Sequence, residues 1–380
     1  MIKVNRVMDI KSVLSEKSCF LFGPRQTGKS FLIRETLSDK KIYDLLDSEV
    51  FFKLARSPKL IEQELTAKDD IIVIDEVQKL PELLDEVHRL IERRGVKFLL
   101  TGSSSRKLRR GGTNLLGGRA RFKILHPFCY RELGDLFDPV KAINYGLLPS
   151  IYFSNSPEED LQAYTGLYLQ EEIASERLAR NIPAFSRFLQ VAAIMNGQLI
   201  NYSKIASDSQ VASSTVQEYF QILKDTLIAF ELGAWKKTVK RKPISTSKFY
   251  FFDTGVVRVL QNKSYINPGT PEFGFAFENL VFHELKCFVD YKNLQGLNYW
   301  RSQSGYEVDF ILCDKVAIEV KAKNFVTESD LSPLKALNEE VKFPYNIVVS
   351  FDEKPRKIEN ILILPWKEFF ERLWAGEFLI

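Results

Sequence analysis

The stretch Gly23-Pro24-Arg25-Gln26-Thr27-Gly28-Lys29-Ser30 decides the fold of the N-terminal part of this 380-residue chain. An apolar run at residues 19–22 precedes it, and a segment with helical character follows from Phe31. A strand, a glycine-bounded loop and a helix start in this order point backbone N–H groups and a helix dipole at one place. Such a place suits a polyphosphate, with Lys29 on the β- and γ-phosphates and Ser30 on Mg²⁺. The sequence therefore predicts a nucleotide-binding loop with ATP and Mg²⁺ as its cofactors.

The composition narrows the class of protein. The chain is longer than a domain with a single hydrophobic core usually is, so two or three domains are expected. With 45% hydrophobic and 27% charged residues, the chain is typical of globular proteins, and its net charge of +4 permits nucleic-acid contact without requiring it. The four cysteines form no C-x-x-C pair, and no apolar run reaches the roughly 18 residues of a membrane span. We expect a cytoplasmic protein with no membrane contact and no disulfide framework.

Apolar runs alternate with helical patterns through the N-terminal part. Strands are predicted at residues 19–22, 41–46, 71–74, 97–101 and 121–125, with helices such as residues 81–93 between them. This alternation is typical of an α/β fold in which helices cover both faces of a parallel sheet.

The predicted strand at residues 71–74 ends in Asp75 and Glu76. Its position suits Asp75 for holding Mg²⁺ through water and Glu76 for polarising the water that attacks the phosphate. The next strand ends in a polar segment, where Ser103 is the first candidate for sensing the γ-phosphate and Thr101 the second. Together with the loop, these residues predict a hydrolytic site.

Arg119 follows a glycine pair and has two readings. It reaches a γ-phosphate in this subunit or in the site of a neighbour, or it is a surface or structural arginine. A role in a neighbour's site requires a homo-oligomer, which the sequence permits without requiring.

The middle of the chain, residues 158–232, is predicted to be helical. Two short helices beginning near Tyr202 and Ser213, each with a serine cap signal, predict a helix–turn–helix. The second helix carries little positive charge. Basic stretches at residues 106–110 and 236–242 could supply it, and they are either phosphate contacts or solvated loops. We favour a structural or domain-bridging role for this segment over sequence-specific DNA reading.

The C-terminal part contains a second α/β pattern with three functional groups on adjacent strands. Asp309 belongs to one predicted strand and Glu319 to the next, and Lys321 lies two residues after Glu319 on the same face. Two carboxylates and a lysine on one face are suited to holding a divalent metal and an activated water beside a phosphate. An edge hairpin with ordinary ion pairs is the alternative.

The ordered motifs resemble those of the AAA-type ATPases of bacteria and archaea whose C-terminal domain is of unknown function. The resemblance continues through Leu125-His126-Pro127-Phe128 and as far as Tyr250-Phe251-Phe252-Asp253-Thr254-Gly255. It implies a parallel five-stranded ATPase core, a winged-helix-like segment and a nuclease-like fold. The order Asp309, Glu319-x-Lys321 is similar to the restriction-endonuclease-like superfamily, in which Glu278 matches an additional acid. Val308 stands where that superfamily commonly has proline.

We therefore expect an α/β protein with three parts: a P-loop AAA-type ATPase core at residues 1–135, a helical lid and winged-helix-like region at 136–245, and a restriction-endonuclease-like domain at 246–380. The predicted function is ATP hydrolysis coupled to a nuclease-like domain that acts on DNA or RNA. Two alternatives stay open: a regulatory or scaffold NTPase whose C-terminal domain binds a partner without cleavage, and a nucleotide-dependent DNA-binding switch. The catalytic candidates are Lys29, Glu76, Ser103, Arg119, Glu278, Asp309, Glu319 and Lys321, and the metal ligands are Ser30, Asp75, Asp309 and Glu319.

Overall fold

The computed structural model describes residues 3–104, 116–168, 181–238 and 241–379. The chain divides into two compact units. The first unit comprises Asn5–Pro127 and Asp225–Ile228, and the second comprises Met1–Val4, Phe128–Lys224 and Ala229–Ile380. The basic stretch predicted at residues 106–110 lies outside the described residues, as do residues 239–240 of the other basic stretch.

A five-stranded parallel sheet forms the centre of the first unit, in the order β2-β3-β4-β1-β5. The central strands are short apolar runs whose side chains are buried on both faces, as a parallel sheet between helices demands. The prediction of a parallel α/β core is confirmed. The strands are β1 (Ser18–Phe22), β2 (Lys41–Asp44), β3 (Ile71–Asp75), β4 (Lys97–Gly102) and β5 (Ala120–Ile124).

Helices connect these strands, and local signals fix their ends. The Asp9 carboxylate accepts the Ser12 N–H at the start of the first helix. The longest helix of the unit ends at Gly95, whose φ of +65° is a conformation that glycine adopts without strain. The helices are α1 (Ile10–Glu16), α2 (Lys29–Thr36), α3 (Ser48–Arg56), α4 (Leu60–Gln63) and α5 (Leu83–Arg94).

The second unit opens with helices and a two-stranded ribbon. Asn201, rather than a serine, caps the first of the two predicted short helices, because its side chain accepts the Lys204 N–H. The serine cap prediction was wrong there. The helices are α6 (Tyr130–Leu133), α7 (Pro139–Tyr145), α8 (Pro149–Tyr152), α9 (Pro157–Ala163), α10 (Ile182–Ile194), α11 (Tyr202–Ser209), α12 (Ser213–Asp225) and α13 (Thr254–Leu260), and the antiparallel ribbon pairs β6 (Ala229–Leu232) with β7 (Lys248–Phe251).

A six-stranded mixed sheet completes the second unit, in the order β12-β13-β11-β10-β9-β8. β10, β11 and β13 are mutually parallel, whereas β8, β9 and β12 run antiparallel to their neighbours. The strands are β8 (Leu297–Arg301), β9 (Glu307–Leu312), β10 (Val316–Val320), β11 (Tyr345–Ser350), β12 (Arg356–Ile358) and β13 (Ile361–Pro365), and the helices are α14 (Pro271–Tyr291), α15 (Ser332–Asn338) and α16 (Trp366–Trp374).

The 21-residue helix α14 crosses the core of this unit and contacts β7, β8 and β10. Its buried Glu284 accepts the Tyr130 N–H on both carboxylate oxygens, at 3.0 and 3.1 Å, and the Trp374 indole N–H on one of them. Burial raises the pKa of Glu284 to about 7. The protonated acid is therefore favoured in the folded state relative to the unfolded chain.

The predicted boundary at residues 245/246 falls within the second unit, where β6 and β7 lie on either side of it and pair with each other. The division into a middle and a C-terminal domain stays a prediction, as does the winged-helix reading. In the part of the chain that the structure describes, no helix combines the length and apolar character needed to cross a membrane.

Candidate nucleotide site and acidic cluster

The loop at residues 23–30 connects β1 to α2, as the sequence predicts. The Lys29 ammonium donates to the carbonyl oxygens of Gly23 and Pro24 at 2.7 and 3.0 Å, which curls its side chain over the loop. Gly28 begins the helix with a φ of +93°, and a Cβ on Gly23 would lie 2.3 Å from the Leu125 carbonyl oxygen. Both glycines are therefore required by the backbone path, which leaves the N-terminus of α2 facing the loop.

Asp75 joins the loop to two neighbouring strands. At the carboxyl end of β3, its Oδ2 accepts the Ser30 hydroxyl at 3.0 Å, and its Oδ1 accepts the Thr101 hydroxyl. The carboxylate is 5% exposed. The structure thus brings together both predicted magnesium ligands and places Thr101, the second candidate on β4, in contact with one of them. A hydroxyl and a carboxylate are oxygen donors of the kind that Mg²⁺ accepts.

Glu76 is held in an unusual backbone conformation beside this group. Its φ of +58° is costly for a residue with a Cβ, on the order of 1 kcal/mol. The Gln78 amide donates to the Glu76 carboxylate and lies 3.4 Å from the Ser103 hydroxyl oxygen. Burial raises the pKa of Glu76, against the opposing charge of Lys29. A carboxylate with a raised pKa is a stronger base for accepting a proton from water.

Gln78 is a site residue that the sequence analysis missed. It is 5% exposed, and its buried Oε1 accepts no hydrogen bond from any residue that the structure describes. A Cβ on Gly102 would lie 2.0 Å from that atom, so only glycine at this position leaves room for Gln78 between Glu76 and Ser103. The motif D-E-x-Q is the sequence signal available, but nothing in one sequence separates this glutamine from a surface residue.

Arg6 is a second missed residue. Its guanidinium donates to the carbonyl oxygens of Thr27 and His126 at 2.7 and 2.6 Å and so ties the loop to the segment after β5. About twenty residues separate Arg6 from the loop in sequence, so no spacing pattern could have indicated it.

Arg119 immediately precedes β5, at the amino edge of the parallel sheet, whereas the loop follows the carboxyl end of β1. Its guanidinium pairs with the Glu92 carboxylate near the end of α5 and donates to the Gly117 carbonyl oxygen at 3.2 Å. Within one chain, Arg119 and the loop thus belong to opposite edges of the sheet. A contact with a γ-phosphate, in this subunit or a neighbour's, stays a prediction.

In the second unit, the predicted carboxylates lie on neighbouring antiparallel strands. The Ile318–Phe310 pairing of β10 with β9 brings Asp309 beside Glu319, and Asp309 Oδ2 accepts the Val320 N–H at 2.8 Å. Lys321 donates to Glu319 Oε1 at 2.6 Å. We refer to Glu278, Asp309, Glu319 and Lys321 as the acidic cluster.

Glu278 reaches this region from α14 and brings groups that the sequence analysis did not include. Its Oε1 accepts the Tyr250 hydroxyl at 2.5 Å and lies 3.4 Å from the Lys248 ammonium. Lys248, whose side chain is 3% exposed, also pairs with Glu307. Tyr250 and Lys248 both belong to β7, so the ribbon supplies part of the environment that a search for acidic residues overlooked.

Several buried charges compete in the acidic cluster. Burial, followed by the charges of Glu319 and Glu278, raises the pKa of Asp309 well above its usual range. Burial also raises the pKa of Glu319, while Lys321 opposes the shift. Glu319 Oε2 is buried and has no hydrogen-bond partner among the residues that the structure describes. A cation beside this oxygen would satisfy it and relieve the repulsion between carboxylates.

Within the described ranges, no three His, Cys, Asp or Glu side chains are grouped closely enough to hold a metal ion by themselves. Both candidate magnesium sites thus offer at most two carboxylates. That number is compatible with Mg²⁺, which usually keeps several water ligands and takes one or two carboxylates from the protein.

Comparison with protein families supports the reading of the first unit. Residues 15–134 match the family described as an AAA domain. The match supports an AAA-type ATPase, and an AAA domain implies nucleotide binding. Residues 137–265 and 273–369 match two domains of unknown function, DUF8612 and DUF4143. Neither description mentions a nuclease, so the restriction-endonuclease-like fold stays a prediction.

Two mycobacterial proteins are similar to most of this chain. An uncharacterized protein of Mycobacterium bovis is 28% identical over 301 residues, which is 76% of this chain and 66% of the relative. An uncharacterized protein of Mycobacterium tuberculosis matches to the same extent. The matched region thus spans slightly less than two thirds of each relative's length.

Proposed function

We propose that the AAA domain binds and hydrolyses ATP at the loop of residues 23–30. The observation that carries this proposal is the Asp75 carboxylate, which is shared by Ser30 of the loop and Thr101 of β4 and is followed directly by Glu76. The start of α2, the oxygen atoms of Ser30 and Asp75 and the Glu76 carboxylate lie at one edge of the sheet, which supports phosphate binding, a cation site and a base there.

Each residue has a distinct part in the proposed reaction. The N–H groups at the start of α2 bind the phosphates, and Lys29 exchanges its two carbonyl partners for phosphate oxygens. Glu76 accepts a proton from the attacking water, while Gln78 orients its carboxylate. Ser30 and Asp75 would hold Mg²⁺, which neutralises phosphate charge when it is bound. Ser103 and Thr101 are the candidates for contact with the γ-phosphate.

Two variants test this proposal. Lys29→Ala is expected to abolish ATP turnover, and Glu76→Gln is expected to stop turnover while leaving ATP binding intact, because the amide keeps the shape but not the basicity. Phosphate release and the quenching of a fluorescent ATP analogue measure the two properties separately. Wild-type turnover in Lys29→Ala would remove the loop from the mechanism, and wild-type turnover in Glu76→Gln would remove the proposed base.

We further propose that the acidic cluster hydrolyses a phosphodiester in DNA or RNA. The unpartnered, buried Glu319 Oε2 supports this second function, because an isolated structural ion pair gives no reason to leave such an atom unsatisfied. Asp309 and Glu319 would hold a divalent metal, which supplies an activated water and charge neutralisation when bound. Lys321, which donates to Glu319, stabilises charge that develops on a phosphate, and Glu278 is the third acid of the cluster without being a ligand of the metal.

A cleavage assay decides between hydrolysis and binding alone. Wild-type protein with Mg²⁺ or Mn²⁺ is expected to cut single- or double-stranded DNA or RNA, and the Asp309→Ala/Lys321→Ala variant is expected to leave the same substrates intact. The assay is run with and without ATP, because we propose that the nucleotide cycle controls this activity. If both proteins leave every substrate intact, a scaffold NTPase whose C-terminal part only binds a partner is the better description.

A further inference from the structure

Two adjoining cavities open beside the acidic cluster in the second unit. The smaller one, the amide cavity, measures about 160 Å³, and the larger one, the acidic cavity, about 400 Å³. They share Asn196, Gln198 and Phe275 as a common wall. The amide cavity is also lined by Asn279 and Gln261, whereas the acidic cavity is lined by Lys248, Glu278, Arg301 and Glu307. The acidic cavity thus includes one member of the acidic cluster, Glu278.

One hydrogen-bond donor of the amide cavity lacks a partner in the described part of the chain. Asn279 is 1% exposed, and this donor is its buried Nδ2. The orientation of this amide is fixed by a relay: the Phe251 N–H donates to Asn196 Oδ1, so Asn196 Nδ2 must donate to Asn279 Oδ1 at 3.0 Å. Turning the Asn279 amide around would place two donors against each other. The unpaired NH₂ group is therefore a consequence of the fold, and an acceptor in the cavity would satisfy it.

Phe275 lies on the rim between the two cavities. It is 60% exposed, which is unusual for a phenylalanine on a long, well-packed helix. Residues three and four positions apart share one helix face, so Phe275, Glu278 and Asn279 lie within about one turn of each other on α14. An exposed ring in this position offers a flat apolar surface within about 6 Å, along the helix axis, of both the unpaired amide and the acidic cluster.

Arg301 supplies a second such donor in the acidic cavity. It donates through one terminal nitrogen to Glu307 at 2.9 Å, but its buried Nε has no partner within the described ranges. Lys248 adds a second positive charge to the same wall. A guanidinium edge beside carboxylates is suited to a phosphate that arrives near a bound metal ion. The two cavities thus offer a donor for a base edge, a ring for stacking and a donor for a phosphate.

We propose that these cavities bind one unpaired nucleotide of a single-stranded nucleic acid, with its base in the amide cavity and its phosphate in the acidic cavity. The base would stack on Phe275 and accept from Asn279 Nδ2, and Arg301 would contact the phosphate. A base within a duplex is stacked on both faces and paired along its Watson–Crick edge, so only a single strand or an extruded base can enter. This inference rests on the proposed hydrolysis at the acidic cluster and names the substrate class of that site.

The test measures binding separately from cleavage. Fluorescein-labelled 20-nucleotide DNA and RNA single strands and the matching duplex are titrated with full-length protein, with Ca²⁺ in place of Mg²⁺, and followed by fluorescence anisotropy. Single strands are expected to bind more tightly than the duplex. Phe275→Ala should weaken single-strand binding about tenfold, the usual effect of losing one stacked base. Phe325→Ala removes a ring that is 65% exposed elsewhere on the same unit and should change the affinity less than twofold.

A second variant addresses the unpaired donor. Asn279→Asp keeps the oxygen that Asn196 requires but removes the free NH₂ group, so it should also weaken single-strand binding. Asn262→Asp adds the same charge on an exposed neighbour and controls for repulsion. Thermal melting verifies that each variant is folded.

Equal affinity for duplex and single strand, or wild-type binding by Phe275→Ala, would overturn the inference. Cleavage is scored independently: binding that depends on Phe275 but leaves all strands intact supports the cavities and refutes hydrolysis. Cleavage of duplex and single strand alike by Phe275→Ala supports hydrolysis and refutes the cavities.

Discussion

Replacing Gly102 with alanine is expected to slow ATP hydrolysis without unfolding the protein. The added Cβ would lie 2.0 Å from Gln78 Oε1 and 2.9 Å from its Cδ, so Gln78 must move away. Gln78 is a flexible side chain, and the obstacle is therefore removed by rotation rather than by backbone distortion. The bond from Gln78 to the Glu76 carboxylate is lost in the process.

The expected size of the effect follows from that bond. A hydrogen bond to a charged group contributes about 1.5–3 kcal/mol. If this contribution serves to position Glu76 in the transition state, turnover falls about ten- to a hundredfold. ATP affinity should change little, because in the proposed mechanism the phosphates contact the loop and not Gln78.

A double-mutant cycle isolates the mechanism. Turnover and thermal midpoint are measured for Gly102→Ala, Gln78→Ala and the double variant, with Gly274→Ala as a control, because a Cβ there meets nothing within 4 Å. The double variant should match Gln78→Ala in turnover, since the only close side chain left is Phe22, whose Cε1 would lie 3.3 Å from the methyl group and needs to move only slightly. Effects that add instead of saturating, or wild-type turnover in Gly102→Ala, would refute the reasoning.

Three further predictions concern the second unit. Burial raises the pKa of Glu284 from 4.5 to about 7, so the wild-type protein should lose up to about 3 kcal/mol of unfolding free energy as the pH rises through that interval. Glu284→Gln should remove this pH dependence in urea titrations at pH 5 and 8. The same change in unfolding free energy between the two pH values in both proteins would contradict the prediction. Glu319→Gln should raise the melting temperature in EDTA. Mn²⁺ is expected to raise the melting temperature of the nucleotide-free wild type, and Glu319→Gln should abolish that increase. An undiminished increase in the variant would show that the ion binds elsewhere. Lys248→Gln leaves the carboxylates of Glu278 and Glu307 without their buried cation, so it should lower the free energy of unfolding by about 3–5 kcal/mol. A loss below about 1 kcal/mol would contradict this prediction.

Much of the fold follows from local sequence signals. The run Ile71-Ile72-Val73-Ile74 predicts a buried parallel strand because no polar side chain interrupts it, and β3 is found there, extended by Asp75. The three-residue strand β12 (Arg356–Ile358) was not predicted, because its hydrogen bonds with β13 and not its own composition define it. Asn201 caps α11 in place of a serine for a similar reason, since both residue types serve as caps and only the backbone path selects one.

Local sequence signals likewise predict some residues of the candidate sites and miss others. Lys29, Ser30, Asp75 and Glu76 follow from motif order, because each lies at a fixed place relative to a strand or helix end. Gln78 was not predicted, since its role depends on the space left by Gly102 on another strand. Lys248 and Asn279 were missed because their environment is built from β7, α14 and the turn after α10, which are separated by tens of residues. Burial and unsatisfied donors are properties of packing, and one sequence does not contain them explicitly.

Insertions and deletions should be tolerated less well within helix α14 than in the segment before it. One added residue between Phe275 and Glu278 would turn everything that follows by about 100° and rotate Glu278, Asn279 and Glu284 away from their partners together. The segment just before Thr270, which caps the helix, is instead exposed and can change length without altering that phase. Insertions and deletions among relatives should therefore occur before residue 270 and be absent from residues 271–291. The positions of gaps in an alignment of relatives would show whether this rotational phase of the helix has been under selection.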